Sequence, residues 1–299
     1  MKQGTGGRAA RVFVALGKSL CYLALFLGTQ VLVMLPVAVA AGVQAALKNW
    51  EAADQLYNLL YENTMVFSAL SGLITIGVIL LFYRIRRKRL EEALWLRRVE
   101  GPGLWAGAAL APALYLVVTT ALMLLPEAWL DSYAEASAGL SGGGVVGAVA
   151  VVLVAPVVEE FVFRGLIMTR MARAMPGWLA AALSAAIFGV CHGHPVWFAY
   201  AFVLGLVFGL MDLRLGSIWP SIWAHMIFNA IGQIFDLLPE EDTVAMGAYI
   251  VLLAVAVLIP LLARKGVKAL FRPEPKALPA QEGGQPAGSE GGDWDPWDE

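Results

Sequence analysis

Charge and cysteine are what this chain has least of. Only 15% of its 299 residues are Asp, Glu, Lys or Arg, against about 25% in a typical soluble domain. The net charge of −2 removes the basic footprint on which nucleic-acid binding depends. Its two cysteines, Cys21 and Cys191, both sit inside apolar runs. They cannot build a disulfide framework or a cysteine-rich metal cluster, and the sequence reads them as buried free thiols. There are three histidines, His192, His194 and His225, and no H-E-x-x-H zinc motif. No internal repeat is visible, which argues against the repeat-built folds of many transporters.

Apolar residues are what the chain has in excess, 59% of the total with a mean hydropathy of +0.70. A helix needs about 20 mostly apolar residues to span a bilayer core ~30 Å thick. Eight runs approach that length: 20–46, 66–83, 104–125, 144 to about 175, 178–192, 196–211, 217–238 and 245–263. The fifth and sixth are short and meet at Gly193-His194-Pro195, the pattern of a tight helical hairpin. The first run is too long for a signal-peptide core of roughly 7–15 residues, so it reads as a spanning helix. The expected fold is therefore all-α, a polytopic membrane bundle of about eight transmembrane helices in the cell membrane.

Lys and Arg give the expected orientation. Of the 21 basic residues, only Lys48 falls in the alternate set of connections around 47–64, 126–143, 193–195 and 239–244. The opposite set carries the cluster Arg84–Arg98, Arg170, Arg173, Arg214 and both terminal segments. Positive residues gather on the cytoplasmic side, so eight spans with both termini cytoplasmic satisfy the rule. The cluster at 84–89 reads as a topology anchor against anionic lipid. Three regions are expected. Residues 1–143 carry three N-terminal helices, 144–272 a helical core, and 273–299 a disordered acidic tail ending in Asp293-Trp-Asp-Pro-Trp-Asp-Glu299.

A charge at the centre of a spanning helix costs ~2.5–3.5 kcal/mol on insertion scales, so the intramembrane polar residues carry information. The fourth run holds Glu159, Glu160 and Arg164, the fifth His192, and the seventh His225 and Asn229. Glu160/Arg164, Phe188/His192 and His225/Asn229 are each four residues apart, on one helical face. At 1.5 Å per residue, His192, His225 and Asn229 lie roughly 21, 14 and 20 Å from the basic end of their helices. Glu159 reaches roughly 24 Å only if the fourth helix runs to about residue 175. The pattern thus predicts a long fourth helix, kinked near Pro156, with Arg164 buried against Glu160.

Taken singly, these residues have bland readings: an ion pair, an interhelical hydrogen bond, an interfacial histidine. Two carboxylates, two imidazoles and an amide at matching depth favour a chemical site. No Ser or Cys pairs with a histidine, since Cys191 and His192 point about 100° apart on a helix. Glu159 can activate water as general base, His192 can hold that water or protonate the leaving amine, and His225 with Asn229 can donate to a developing oxyanion. The same Glu159, His192 and His225 would equally serve as a His₂Glu set for a divalent metal such as zinc. Both chemistries stay open at this level. Gln233 and Asp236 extend the polar face of the seventh run toward a cavity mouth. Gly205-x-x-x-Gly209 reads as close helix packing, and Trp197, Trp219 and Trp223 as interface anchors or site walls.

Glu159-Glu160-Phe-Val-Phe-Arg164, Phe188-Gly-Val-Cys-His192 and His225-Met-Ile-Phe-Asn229, in this order, resemble the three motifs of the CPBP group of CAAX-type proteases and bacteriocin-processing or immunity proteins. The likeness covers roughly 145–234. It implies an intramembrane endopeptidase in which Glu159 and His192 activate water and His225 and Asn229 form the oxyanion hole. Glu160 belongs to the motif, with Arg164 and Phe188 as support. Members are commonly labelled metalloproteases, and a metal-free glutamate mechanism is also argued for them. The implied partners are membrane lipid and a membrane-associated protein or peptide, prenylated in eukaryotic members. The competing readings are a non-enzymatic immunity or scaffold protein and a proton-coupled transporter.

Overall fold

The computed structural model describes residues 5–87, 90–99, 101–138, 142–238 and 249–256, and among them all regular structure is helical. We number the helices α1 (Thr5–Ala46), α2 (Trp50–Glu62), α3 (Thr64–Ile85), α4 (Leu90–Ala93), α5 (Gly101–Met123) and α6 (Glu127–Ser137). Then follow α7 (Gly144–Ala172), α8 (Gly177–Val190), α9 (Pro195–Leu215) and α10 (Trp219–Asp236), with a further helical stretch at 249–256. Five stretches are long and apolar enough to cross a membrane: Ala9–Ala46, Thr64–Ile85, Gly103–Met123, Gly144–Ala172 and Pro195–Leu215. The chain is a multi-pass integral membrane protein. The first seven apolar runs each coincide with a helix. Most of the eighth, 245–263, and all of the tail at 273–299 lie outside the described residues.

The fourth run is one continuous helix of 29 residues, with its ladder shifted twice. Ala150–Val154 and Glu160–Met168 are π-helical, either side of Ala155–Glu159. Pro156 accounts for the first shift, because proline cannot donate to the preceding turn. The helix closes at Ala172, a little short of the expected 175. Pro176 restricts the residue before it and starts the turn into α8.

The basic end of the bundle is sealed. The segment between α4 and α5 folds beneath α7 and the α9–α10 turn. Thr169 Oγ1 and Arg173 Nη2 both donate to the Ala93 carbonyl. Ser217 Oγ donates to the Arg97 carbonyl, and the Ile218 amide to the Trp95 carbonyl. Leu94, Met168, Met171, Ile218 and Ser217 are all buried there. Arg170 Nη2 reaches the Tyr22 hydroxyl of α1.

The α8–α9 hairpin is packed as its small residues suggest. A Cβ on Gly209 would lie 3.2 Å from the Ala181 Cβ, and one on Gly205 3.1 Å from the Ala185 Cβ. Cys21 and Cys191 are both exposed, correcting the expectation of buried thiols. In a membrane protein the outer surface is as apolar as the core, so an apolar run does not tell inside from lipid side.

Candidate active site

The middle of α7, the end of α8 and the middle of α10 bring the sequence-predicted residues together. Glu159, His192, His225 and Asn229 line one cavity of about 350 Å³. Glu159 Oε2 lies 3.7 Å from His225 Nε2, with the Glu159 side chain 24% exposed.

Behind the cavity is a buried charge chain. His225 Nδ1 donates to Glu160 Oε1 at 2.9 Å. Glu160 Oε2 lies 3.1 Å from Arg164 Nε, and both side chains are fully buried. The guanidinium stands over the Phe188 ring at 4.6 Å, with Phe208 at 6.0 Å. Glu160 therefore does not line the cavity. It holds the imidazole of His225, while Arg164 balances its charge and the two aromatic faces replace part of the cation's hydration. This fixes the proton of a neutral His225 on Nδ1 and turns Nε2 to Glu159.

His192 is oriented in the same way by a different partner. Its Nδ1 donates to the Phe188 carbonyl at 2.8 Å, one of the carbonyls a helix end leaves without an intrahelical donor. Its ring packs edge-on against Phe188, centroids 4.6 Å apart. Phe188 thus touches Arg164, His192 and, at 6.1 Å, His225. Its Nδ1 proton assigned, His192 is left with Nε2 as its free acceptor.

Asn229 Nδ2 donates to the Val151 carbonyl of α7 at 2.9 Å. The need is traceable to the sequence. In the π register the Ala155 amide bonds the Ala150 carbonyl, so the next carbonyl, Val151, would take its proton from residue 156. Residue 156 is proline. Asn229 supplies the missing donor with one amide N–H and keeps the other.

Both histidines turn Nε2 into the cavity, that of His225 toward Glu159, an arrangement open to base chemistry and metal ligation alike. Yet among the described residues no three His, Cys, Asp or Glu side chains stand together so as to hold a metal ion. Glu159, His192 and His225 share a cavity without forming that set, and no step below is routed through a metal.

Several site residues were not singled out in the sequence. Gln30 and Phe26 of α1, Ser68 of α3 and Phe163 of α7 line the cavity. Gln30 had a signal, as a polar residue in the middle of an apolar span. Asp212 of α9 is fully buried and pairs with Ser221 of α10, Oγ to Oδ2 2.7 Å. Gln233 and Asp236 do not line the cavity; they bond each other at 3.3 Å. Trp197 does line it, whereas Trp219 donates to the Leu96 carbonyl at the sealed end.

Fold and site define a helical membrane protein that encloses two imidazoles and a carboxylate within its bundle. Residues 141–231, which contain all of these groups, match the family model described as Type II CAAX prenyl endopeptidase Rce1-like. Through this segment, less than a third of its length, the chain is similar to that family. It is also 29% identical over 90 residues to "Putative membrane peptidase YdiL" of Bacillus subtilis (strain 168). That stretch is 30% of this chain and 37% of the relative, so the match spans little more than a third of the relative's length. No solved structure gives a significant match.

Proposed function

We propose that this protein is an intramembrane endopeptidase that hydrolyses a peptide bond of a membrane-associated protein or peptide. The single observation that carries this reading is Glu159, partly exposed in a mostly apolar cavity and 3.7 Å from an imidazole nitrogen. Glu159 removes a proton from water held with His192, and the water oxygen attacks the scissile carbonyl. The negative charge on the carbonyl oxygen is met by Asn229 through its second N–H and by His225 in its doubly protonated form, Nδ1–H on Glu160 and Nε2–H on the substrate. Glu159 or His192 returns the proton to the amine as the C–N bond breaks. Glu160 and Arg164 position these groups without touching substrate, and Phe188 packs on both imidazoles from the cavity wall. Gln30 and Ser68 supply polar atoms on the opposite wall, suited to the backbone of an extended peptide.

The test is substrate trapping. Glu159→Gln keeps the shape of the site and removes the base, so it should lower kcat by ~10²–10⁴-fold and retain substrate that can be identified after purification. Wild-type cleavage rates in Glu159→Gln reject Glu159 as the base. Absence of cleavage by the wild-type protein, with no peptide trapped by Glu159→Gln, leaves the non-enzymatic immunity or scaffold reading in its place.

A further inference from the structure

The cavity is closed at one end of the bundle and reached from the other, and the two ends carry different charge. On α3 the lining residues, Thr64 to Ser68, are at the N-terminal end, and on α7 and α9 they run from the N-terminal part to just past the middle, Val151 to Phe163 and Trp197 to Phe208. On α8 and α10, which run the other way, they lie at the C-terminal end of α8, from Phe188 to His192, and in the middle of α10, from His225 to Asn229. Together these stretches occupy the middle of the bundle and the end away from the Arg84–Arg98 segment. Beneath the cavity, Glu160, Arg164, Asp212 and Ser221 are fully buried, and the sealed layer of Leu94, Met168, Met171 and Ile218 lies beneath them. At the far end, Cys191 and His192 border the hairpin turn, and Cys191 is exposed. There Ser132 of α6 meets His194 at 3.1 Å, and Tyr133 packs on the cavity-lining Trp197 and Tyr200.

The closed end displays Arg84, Arg86, Arg97, Arg98, Arg170, Arg173 and Arg214. The open end displays Glu51, Asp54, Glu62, Glu127, Asp131 and Glu135, with Lys48 the exception. Basic connections stay on the cytoplasmic side because Lys and Arg resist translocation and favour the anionic cytoplasmic leaflet.

We infer that the site opens to the non-cytoplasmic side, and that its substrate is a membrane-inserted peptide whose scissile bond is presented at the outer end of its apolar segment. The substrate half rests on the peptidase reading above; the orientation half does not. A lipidated C-terminus displayed at the cytoplasmic face would meet the sealed basic end and not Glu159.

Accessibility to a membrane-impermeant maleimide decides it, on the full chain in right-side-out vesicles from a bacterial host. Three single-cysteine proteins are compared: Cys191 alone (with Cys21→Ala), and Glu127→Cys and Glu91→Cys with both native cysteines replaced by Ala. Glu127 and Glu91 are exposed residues at the open and the sealed end. The expected result is labelling of Cys191 and Glu127→Cys in intact vesicles, and of Glu91→Cys only after lysis. The reverse pattern overturns the orientation. Failure of Cys191 to label in intact vesicles, whatever Glu127→Cys does, overturns the outward opening of the cavity. None of these outcomes depends on activity, so a failure here is distinct from absence of cleavage by the wild-type protein, which rejects the peptidase reading itself.

Discussion

Asn229 on α10 donates an amide proton to the carbonyl of Val151 on α7, 2.9 Å away. That carbonyl lacks a backbone donor because residue 156 is proline and the helix around it runs in π register. The bond therefore joins a helix irregularity to an amide proposed to face the oxyanion. Pro156→Ala would restore a backbone N–H at 156 and compete for the Val151 carbonyl. Asn229 would then lose its anchor while the helix gains a bond worth ~0.5–1.5 kcal/mol. The expected outcome is an equal or higher melting temperature with a kcat reduced about tenfold or more, measured on detergent-purified protein. Unchanged kcat would separate the Val151 contact from the chemistry.

The two adjacent glutamates should behave differently. Glu160→Gln places an amide beside a fully buried guanidinium and leaves Arg164 without its counter-charge. Removing one member of a buried pair costs ~3–5 kcal/mol, so this variant should melt well below wild type and lose activity with it. Glu159 is partly exposed and has no Arg or Lys partner among the described residues. Glu159→Gln should lose activity with little change in melting temperature. Thermal melts of both variants, beside their cleavage rates, check the distinction.

Helix spacing around Arg164 gives a third prediction. A Cβ on Gly205 would come within 2.9 Å of Arg164 Nη2 and 3.1–3.2 Å of the Ala185 Cβ and Cα. On Gly209 the nearest atom is the sulfur of Met168, a flexible side-chain end at 3.0 Å. Overpacking typically costs ~1–3 kcal/mol, so Gly205→Ala should destabilise more than Gly209→Ala and displace the guanidinium that supports Glu160. Arg164→Lys should not preserve function, because an ammonium has no planar face to lie over Phe188. Melting temperature and kcat of the three variants would show the ranking.

Metal dependence is tested directly. With Glu159 as base in the metal-free route proposed above, cleavage should persist after exhaustive chelation. Elemental analysis of active protein should then find far less than one zinc per chain. About one zinc per chain, with activity lost on chelation and regained on adding zinc, would instead assign Glu159, His192 and His225 to a metal.

Much of the site was legible because intramembrane polar residues are scarce and each has to be explained. The depth comparison of Glu159, His192, His225 and Asn229 led to a long fourth helix, and α7 has that length. The pairing of Glu160 with Arg164 followed from their spacing, since i and i+4 side chains meet on a helix. What periodicity hid was the ladder of α7 itself. A π stretch leaves no hydrophobic signature of its own, and it is what sends Asn229 to Val151. Periodicity also hid the contribution of α1, because Gln30 and Phe26 face a cavity whose other walls come from residues more than thirty positions further along the chain.

Composition and order alone determined that this chain lives in a membrane, that it is helical, and which polar residues need a place in its interior. An apolar run long enough to span, and a charge costly enough to need a reason, are both local properties. Only the tertiary structure decided how those residues divide their work. It set Glu160 behind the cavity and Glu159 within it, although they are neighbours in sequence. It also closed the basic end and left the acidic end open. Those outcomes depend on which faces of six helices turn toward one another, and that is fixed by side-chain packing across the bundle rather than by the preferences of any one segment.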